Sequence, residues 1–91
     1  MAAFEAVVEV TMREVLLREL VRALLRDCYL PREAPAQMWG GEGSGWRCDV
    51  CGHPIAHGEA EYELLFTRPG DSGLHLHRPC YEMWEIERQR P

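Results

Sequence analysis

Two short pairs of thiol and imidazole side chains constrain this chain more than any other feature. Cys48 and Cys51 are separated by two residues, and His77 and Cys80 repeat that spacing further along. A two-residue gap lets one tight turn direct both side chains of a pair at the same metal ion. Gly52 follows the first pair, where the turn needs a residue that tolerates positive φ. The spacing predicts one closed, structural zinc site with the ligands Cys48, Cys51, His77 and Cys80.

The small size of the chain favours stabilisation by a site of this kind. With 91 residues, it buries a smaller share of its surface than a larger domain does. Its four cysteines would also suffice for two disulfides, but no apolar segment follows a basic N-terminus as in an exported protein. Reduced thiols in the cytoplasm are therefore expected. No run of about 18 uncharged apolar residues is present, so no membrane partner is expected.

The chain contains three further histidines and one further cysteine, which are the other candidates for a role at the metal. His75 points to the same strand face as His77, and it stays an alternative ligand, although the two-residue gap favours His77. His53 and His57 follow the first cysteine pair, where an exposed histidine or one that supports a ligand is typical. Cys28 has no partner at metal spacing, and we expect it to be a small core residue.

The first third of the chain has the pattern of an amphipathic helix. Thr11 and Glu14 have the spacing of a capping box, which predicts that the helix begins at Thr11. Pro31 cannot continue a helix, so the helix is expected to end near Cys28. The preceding segment, residues 2–10, is apolar and short, and it fits a strand or a helix.

One face of this helix is apolar along its length. The residues that form or widen the apolar stripe are Val10, Leu16, Leu17, Leu20, Val21, Leu24, Leu25 and Cys28. This is more apolar surface than the short C-terminal half obviously covers. We therefore expect the protein to bind a protein partner and to form a homodimer through this helix.

A second side of the helix is basic. Arg18, Arg22 and Arg26 recur every four residues, and we interpret them as a solvated face that nearby carboxylates partly neutralise. The alternative function is a DNA- or RNA-binding regulator that uses this arginine row. The formal net charge of −5 counts against nucleic acid as the main partner.

Proline and glycine divide the chain into three parts. Two prolines and four glycines mark residues 31–45 as a linker between the helical segment, residues 1–30, and a zinc-finger domain, residues 46–91.

Within the finger, alternating polarity predicts two strands, over residues 59–66 and 74–77, with Glu61 and Glu63 on the polar face of the first. The turn signal Pro69-Gly70-Asp71 lies between the strands and predicts a hairpin. Pro79 suits the first turn of a helix that runs to about Gln89. The fold class is therefore α+β.

The large aromatic side chains are expected to pack in the core of the finger. They are Trp39, Trp46, Tyr62, Phe66, Tyr81 and Trp84. Trp39 lies in the predicted linker, and it is the best candidate for an exposed contact.

Residues 48–84 resemble a known type of zinc site. The features that carry the resemblance are Cys48-x-x-Cys51, Ile55, Gly58, the twenty-five residues between Cys51 and His77, and His77-x-x-Cys80-Tyr81 with Trp84. They are similar to the zinc finger of the poly(ADP-ribose) polymerase type and, in outline, to the first half of a LIM domain. The resemblance implies a treble-clef-like finger of knuckle, hairpin and helix, and recognition of DNA ends. Residues 46–91 depart from it in carrying five arginines against eight carboxylates.

No catalytic residues are predicted. His57-Gly58-Glu59 has the H-x-E form of the zinc deaminases, but the cysteine required three residues after Cys80 is Met83. Four protein ligands leave no open position for a hydrolytic water, which also argues against a metal-dependent hydrolase. We therefore expect a small non-enzymatic zinc protein that acts as an interaction or regulatory module.

Overall fold

The computed structural model describes residues 2–67 and 73–90, with side chains described from residue 12 onward. Helix α1 spans Ala2–Arg26 without interruption. The predicted start at Thr11 is wrong, because the helix continues through it. Residues 2–10 contain alanine and glutamate and neither glycine nor proline, so nothing in them stops a helix that has already formed.

The end of α1 is a left-handed cap rather than a proline stop. The amide of Tyr29 donates to the carbonyl of Leu24 at 2.9 Å, and Cys28 has a φ of 61°. This is the Schellman arrangement, in which glycine is the usual left-handed residue. Cys28 is exposed, so its predicted core position is wrong: the helix ends at Arg26, before the stripe reaches it. Leu30, which is 1% exposed, occupies the core after the chain has turned.

Three antiparallel strands form a sheet in the order β1-β2-β3: β1 is Gln37–Glu42, β2 is Ala60–Leu65 and β3 is Leu74–His77. The predicted pairing of the last two strands is confirmed, with Glu63 opposite His75. The turn signal Pro69-Gly70-Asp71 lies outside the described residues.

Strand β1 lies within the segment predicted to be a linker, and that prediction is wrong for Gln37–Glu42. Its backbone pairs with β2, which places Trp39 opposite Glu63. All six residues of β1 are exposed, so the strand shows no alternation of polarity. Gly40 and Gly41 lower its strand propensity further. The division of the chain at residues 30 and 45 stays a prediction.

Helix α2 spans Arg78–Arg88, with Pro79 in its first turn as expected. It packs across one face of the sheet, where Tyr81 stacks on Tyr62 with ring centroids 4.7 Å apart. Trp84 is fully buried, and its indole nitrogen donates to the carbonyl of Pro31 at 2.9 Å. The helix therefore joins the sheet to the end of α1.

Among the described residues, a buried cluster links both helices with β2, β3 and the turn that carries Cys48, but it includes no residue of β1. Its members are Val21, Leu25, Leu30, Cys48, Val50, Ile55, Leu64, Leu76, Cys80, Met83 and Trp84. The predicted α+β class is confirmed as two helices with a three-stranded antiparallel sheet. Within the described part of the chain, no helix has the length and apolar character needed to cross a membrane.

Candidate metal centre

The structure brings the four predicted metal ligands together. The ligand atoms of Cys48, Cys51, His77 and Cys80 all lie within 4.8 Å of one another. The first two belong to a turn between β1 and β2, whereas His77 ends β3 and Cys80 lies in the first turn of α2. Cys48 and Cys80 are buried, at 2% and 5% exposure. The protein fold therefore shields the cluster from bulk water on the side of the core.

Backbone hydrogen bonds shape the cysteine turn. The Cys48 amide donates to the carbonyl of His53, and the Gly52 amide donates to the carbonyl of Cys48, each at 2.9 Å. Gly52 has a φ of 78°, as the spacing predicts. The Val50 amide points at the sulfur of Cys48 from 3.4 Å. An amide directed at a sulfur stabilises the thiolate form, which is the form that binds metals.

The ring of His77 is oriented for binding through Nδ1. Nδ1 lies 3.3 Å from the sulfur of Cys51, while Nε2 lies 3.2 Å from the carbonyl oxygen of Pro54. A proton on Nε2 would be donated to that carbonyl, which leaves Nδ1 with a free lone pair. Metal-bound histidines commonly have such a carbonyl partner on the second nitrogen.

His75, the alternative ligand, lies outside this donor set. Its Nδ1 is 2.8 Å from the carboxylate of Glu61, and its ring stacks on Trp46. Its backbone amide donates to the carboxylate of Asp49 at 2.8 Å, and the Asp49 amide donates back to the His75 carbonyl at 2.8 Å. These two hydrogen bonds hold the cysteine turn against β3 at His75, two residues before His77.

Glu61 is buried, although alternation placed it on the polar face of its strand. One of its carboxylate oxygens accepts hydrogen bonds from the amide and the hydroxyl of Ser44, at 2.9 and 2.7 Å, and the other faces His75. Burial alone would raise the pKa of Glu61, but these hydrogen bonds outweigh burial and lower the pKa. Sequence spacing did not identify this network, because its three members come from separate segments.

Cys48 is the sulfur of the cluster that ionises most readily. A hydrogen bond from Cys80 is the main reason that the pKa of Cys48 falls to about 4, and the same contact raises the pKa of Cys80. Burial raises the pKa of Cys51. The protein groups alone thus hold one thiolate among three sulfurs, and a divalent ion would displace the remaining thiol protons.

The donor set fits one metal ion and is consistent with zinc. Three sulfurs and an imidazole nitrogen match the structural Cys3His class, and donors around a tetrahedral zinc lie roughly 3.5–3.8 Å apart. The ligand atoms need to contract by about 1 Å at most from their 4.8 Å limit.

His53 and His57 do not belong to the donor set. His53 is exposed, as expected. The side chain of His57 is 88% exposed, and its Nε2 lies 3.3 Å from the carboxylate of Glu42.

The arginine row of α1 contacts a buried carboxylate that the sequence pattern did not reveal. Glu87 of α2 is 2% exposed, and Arg22 donates to it at 2.7 Å. Arg90 donates at 2.8 Å, and Arg18 lies 3.7 Å away. Burial raises the pKa of Glu87, but the arginine contacts outweigh burial and lower it. Part of the row is therefore a contact between the two helices, whereas Arg26 remains exposed near Asp27.

The aromatic residues divide into two groups. Tyr62, Phe66, Tyr81 and Trp84 pack in or against the core, as predicted. Trp39 is 51% exposed, also as predicted. The core position predicted for Trp46 is wrong, because this residue is 64% exposed and stacks on His75 at the surface.

Comparison of the chain with models of protein families, with curated proteins and with solved structures gave no match.

Proposed function

We propose that this chain is a small, non-enzymatic zinc protein that acts as a protein-interaction module and forms a homodimer through α1. The metal is one structural zinc held by Cys48, Cys51, His77 and Cys80. All four positions of a tetrahedral ion are then filled, which leaves none for a substrate or a reactive water. The proposal includes a treble-clef-like finger. The order of the cysteine turn, the hairpin and α2 along the chain supports it.

The proposal includes a reducing, cytoplasmic location. The three thiols bind a metal only while they are reduced.

The exposed apolar side of α1 is the observation that carries the interaction role. Met12, Val15, Leu16 and Leu20 are 58%, 48%, 65% and 38% exposed. The opposite side of the same helix is in the core, where Val21 is fully buried and Leu25 is 4% exposed. A helix that packs on one side and presents large apolar groups on the other is typical of a protein interface.

A second copy of the chain is the proposed occupant of this surface. Met12, Val15, Leu16 and Leu20 recur at the i, i+3, i+4 and i+8 spacing of an apolar stripe, which suits a pair of helices packed side by side. The alternative, nucleic-acid binding through the arginine row, stays a prediction. The contacts of Arg18 and Arg22 with Glu87 weigh against it.

Light scattering on the zinc-loaded protein tests the dimer. We expect a mass of about twice the 10.5 kDa of one chain at micromolar concentration. Leu16→Glu should give a monomer, because it places a charge in the apolar contact. Ile86→Glu is the matched control, since Ile86 is 53% exposed on α2 and should leave the mass unchanged. A monomeric wild-type protein, or a dimer that Leu16→Glu does not weaken, would contradict the proposed interface.

A further inference from the structure

The sheet has two faces with different surroundings. One face packs against α2, through Tyr62, Leu64 and Leu76. On the other face, strand pairing aligns Trp39 of β1, Glu63 of β2 and His75 of β3, because directly opposed residues in antiparallel strands share a face.

Trp46 extends this row. Its ring stacks on His75 with centroids 5.2 Å apart and planes only 6° from parallel. We call Trp39, Glu63, His75 and Trp46 the tryptophan row. Trp39 and Trp46 are 51% and 64% exposed, so the row presents a large aromatic ring at each end. Tryptophan is enriched where proteins bind each other, because one rigid side chain supplies a large contact area.

Glu63 lies between the rings, and two surface clefts meet at it. One cleft of about 630 Å³ is lined by Trp46, Arg47, Asp49, Glu63, Gly73 and His75. The other, of about 260 Å³, includes Trp39 and Glu63 in its lining.

The charges around the row are mainly acidic. Within residues 2–67 and 73–90, the half-buried carboxylate of Glu63 forms no hydrogen bond or ion pair. One carboxylate oxygen of Asp49 accepts a hydrogen bond from the amide of His75. The carboxylate of Glu61 already has partners in Ser44 and His75. Arg47 is turned to the carbonyl of Gly52, to which it donates at 2.9 Å.

A carboxylate that has no partner in the described part of the chain and is flanked by exposed aromatic rings matches the chemistry of a guanidinium group. The carboxylate supplies a bidentate ion pair, and the indole faces attract the cation and stack on its plane. We propose that the tryptophan row binds an arginine-bearing segment of a partner protein, with the guanidinium at Glu63 between Trp39 and Trp46. This inference rests on the proposed role as an interaction module, but it uses a different surface from α1.

Binding of a labelled peptide of alternating glycine and arginine to the full zinc-loaded chain tests this surface, by fluorescence anisotropy at low salt. Matched peptides with serine or glutamate in place of arginine are expected to bind at least about tenfold more weakly. Glu63→Gln, Trp39→Ala and Trp46→Ala are each expected to weaken binding of the arginine peptide about three- to tenfold. Trp46→Phe should restore most of the affinity, because it keeps an aromatic face.

Two variants elsewhere on the surface serve as controls. Tyr29→Ala removes a ring that is 61% exposed, and Glu82→Gln removes a carboxylate whose side chain is 57% exposed. Both should bind the arginine peptide as the wild type does. Equal effects of the control variants and of Trp39→Ala and Trp46→Ala would overturn the inference, because binding would then reflect general charge attraction.

Other occupants give different results. If Trp39→Ala or Trp46→Ala halves the mass measured by light scattering, the row is covered by a second copy. If a DNA fragment displaces the arginine peptide, the surface binds nucleic acid. Either outcome overturns the inference. A zinc-loaded dimer that does not bind the arginine peptide would overturn this inference alone and leave the proposed function intact.

Discussion

The candidate metal centre and helix α1 are attached to the same core in different ways. At the centre, four ligands from a turn, a strand end and a helix start converge within 4.8 Å, and short hydrogen bonds hold the turn against β3. Helix α1 contributes Val21 and Leu25 to the core, pairs with Glu87 and leaves much of its remaining described apolar surface exposed. One region thus groups candidate ligands for one metal ion, whereas the other presents exposed apolar side chains.

The largest expected effect comes from breaking the metal centre. Cys51→Ser should abolish zinc binding and unfold the part of the chain around the hairpin and α2, because the apparent binding free energy of structural zinc, about 10–16 kcal/mol, also stabilises the fold. Loss of dispersed amide signals in the NMR spectrum would report it. Cys28→Ser is the matched control, since Cys28 is exposed and outside the cluster. A Cys51→Ser protein with an unchanged spectrum would show that the ligands are wrongly assigned.

Trp84→Ala should destabilise the core to which both regions are attached. Trp84 is fully buried between the sheet and the end of α1, and its removal should lower the free energy of unfolding by about 3–5 kcal/mol. Urea denaturation of the zinc-loaded protein measures this. Trp39→Ala, at a ring that is 51% exposed, should change the free energy by less than about 0.5 kcal/mol. Similar losses in both variants would contradict the assigned core.

Glu87→Gln tests the ionic attachment of α1. It should destabilise the protein by about 1–2 kcal/mol at neutral pH, a modest loss because the arginines around Glu87 are partly exposed. Since the pKa of Glu87 is lowered in the folded protein, its stabilisation is present above the ordinary glutamate pKa of about 4.3 and is lost as the pH falls through the folded value.

Denaturation of wild type and Glu87→Gln at a series of pH values measures the gap between them. The gap should be constant near neutrality and should close in acid, and any loss of metal common to both proteins cancels in the comparison. A gap that grows as the pH falls would contradict the arginine contacts. Glu82→Gln, which removes an exposed pair with Arg78, should change stability by less than about 0.5 kcal/mol.

The smallest effect is expected at the end of α1, and it has the opposite sign. Cys28 has a φ of 61°, a conformation that strains a residue with a side chain. Cys28→Gly should therefore stabilise the protein by about 0.5 kcal/mol, after allowing for the greater freedom of glycine in the unfolded chain. A rise in the thermal midpoint of Cys28→Gly relative to the wild type measures it, with Cys28→Ala, which keeps a side chain at the same φ, as the control. Equal midpoints would show that the left-handed cap contributes nothing.

Local sequence signals were sufficient to group the four candidate metal ligands. The paired spacings, the alternation in β2 and β3 and the position of Pro79 each depend on neighbouring residues, and each predicted an element or grouping that the structure contains.

The features that sequence analysis missed depend on distant contacts. Strand β1 exists because β2 supplies its hydrogen bonds, although its exposed residues and two glycines resemble a loop. From the sequence alone, Glu61 and Glu87 have the pattern of surface carboxylates. They are buried because the fold places Ser44 and His75 beside Glu61 and the arginines of α1 beside Glu87. The helix start predicted at Thr11 is wrong because the residues before it are also helical.

Elemental analysis of the purified, reduced protein measures how much zinc the four ligands hold. We predict one zinc ion per chain. Its removal by a chelator should unfold the part of the chain around the hairpin and α2. A folded, reduced protein that contains no stoichiometric zinc would contradict the assignment of Cys48, Cys51, His77 and Cys80 as zinc ligands.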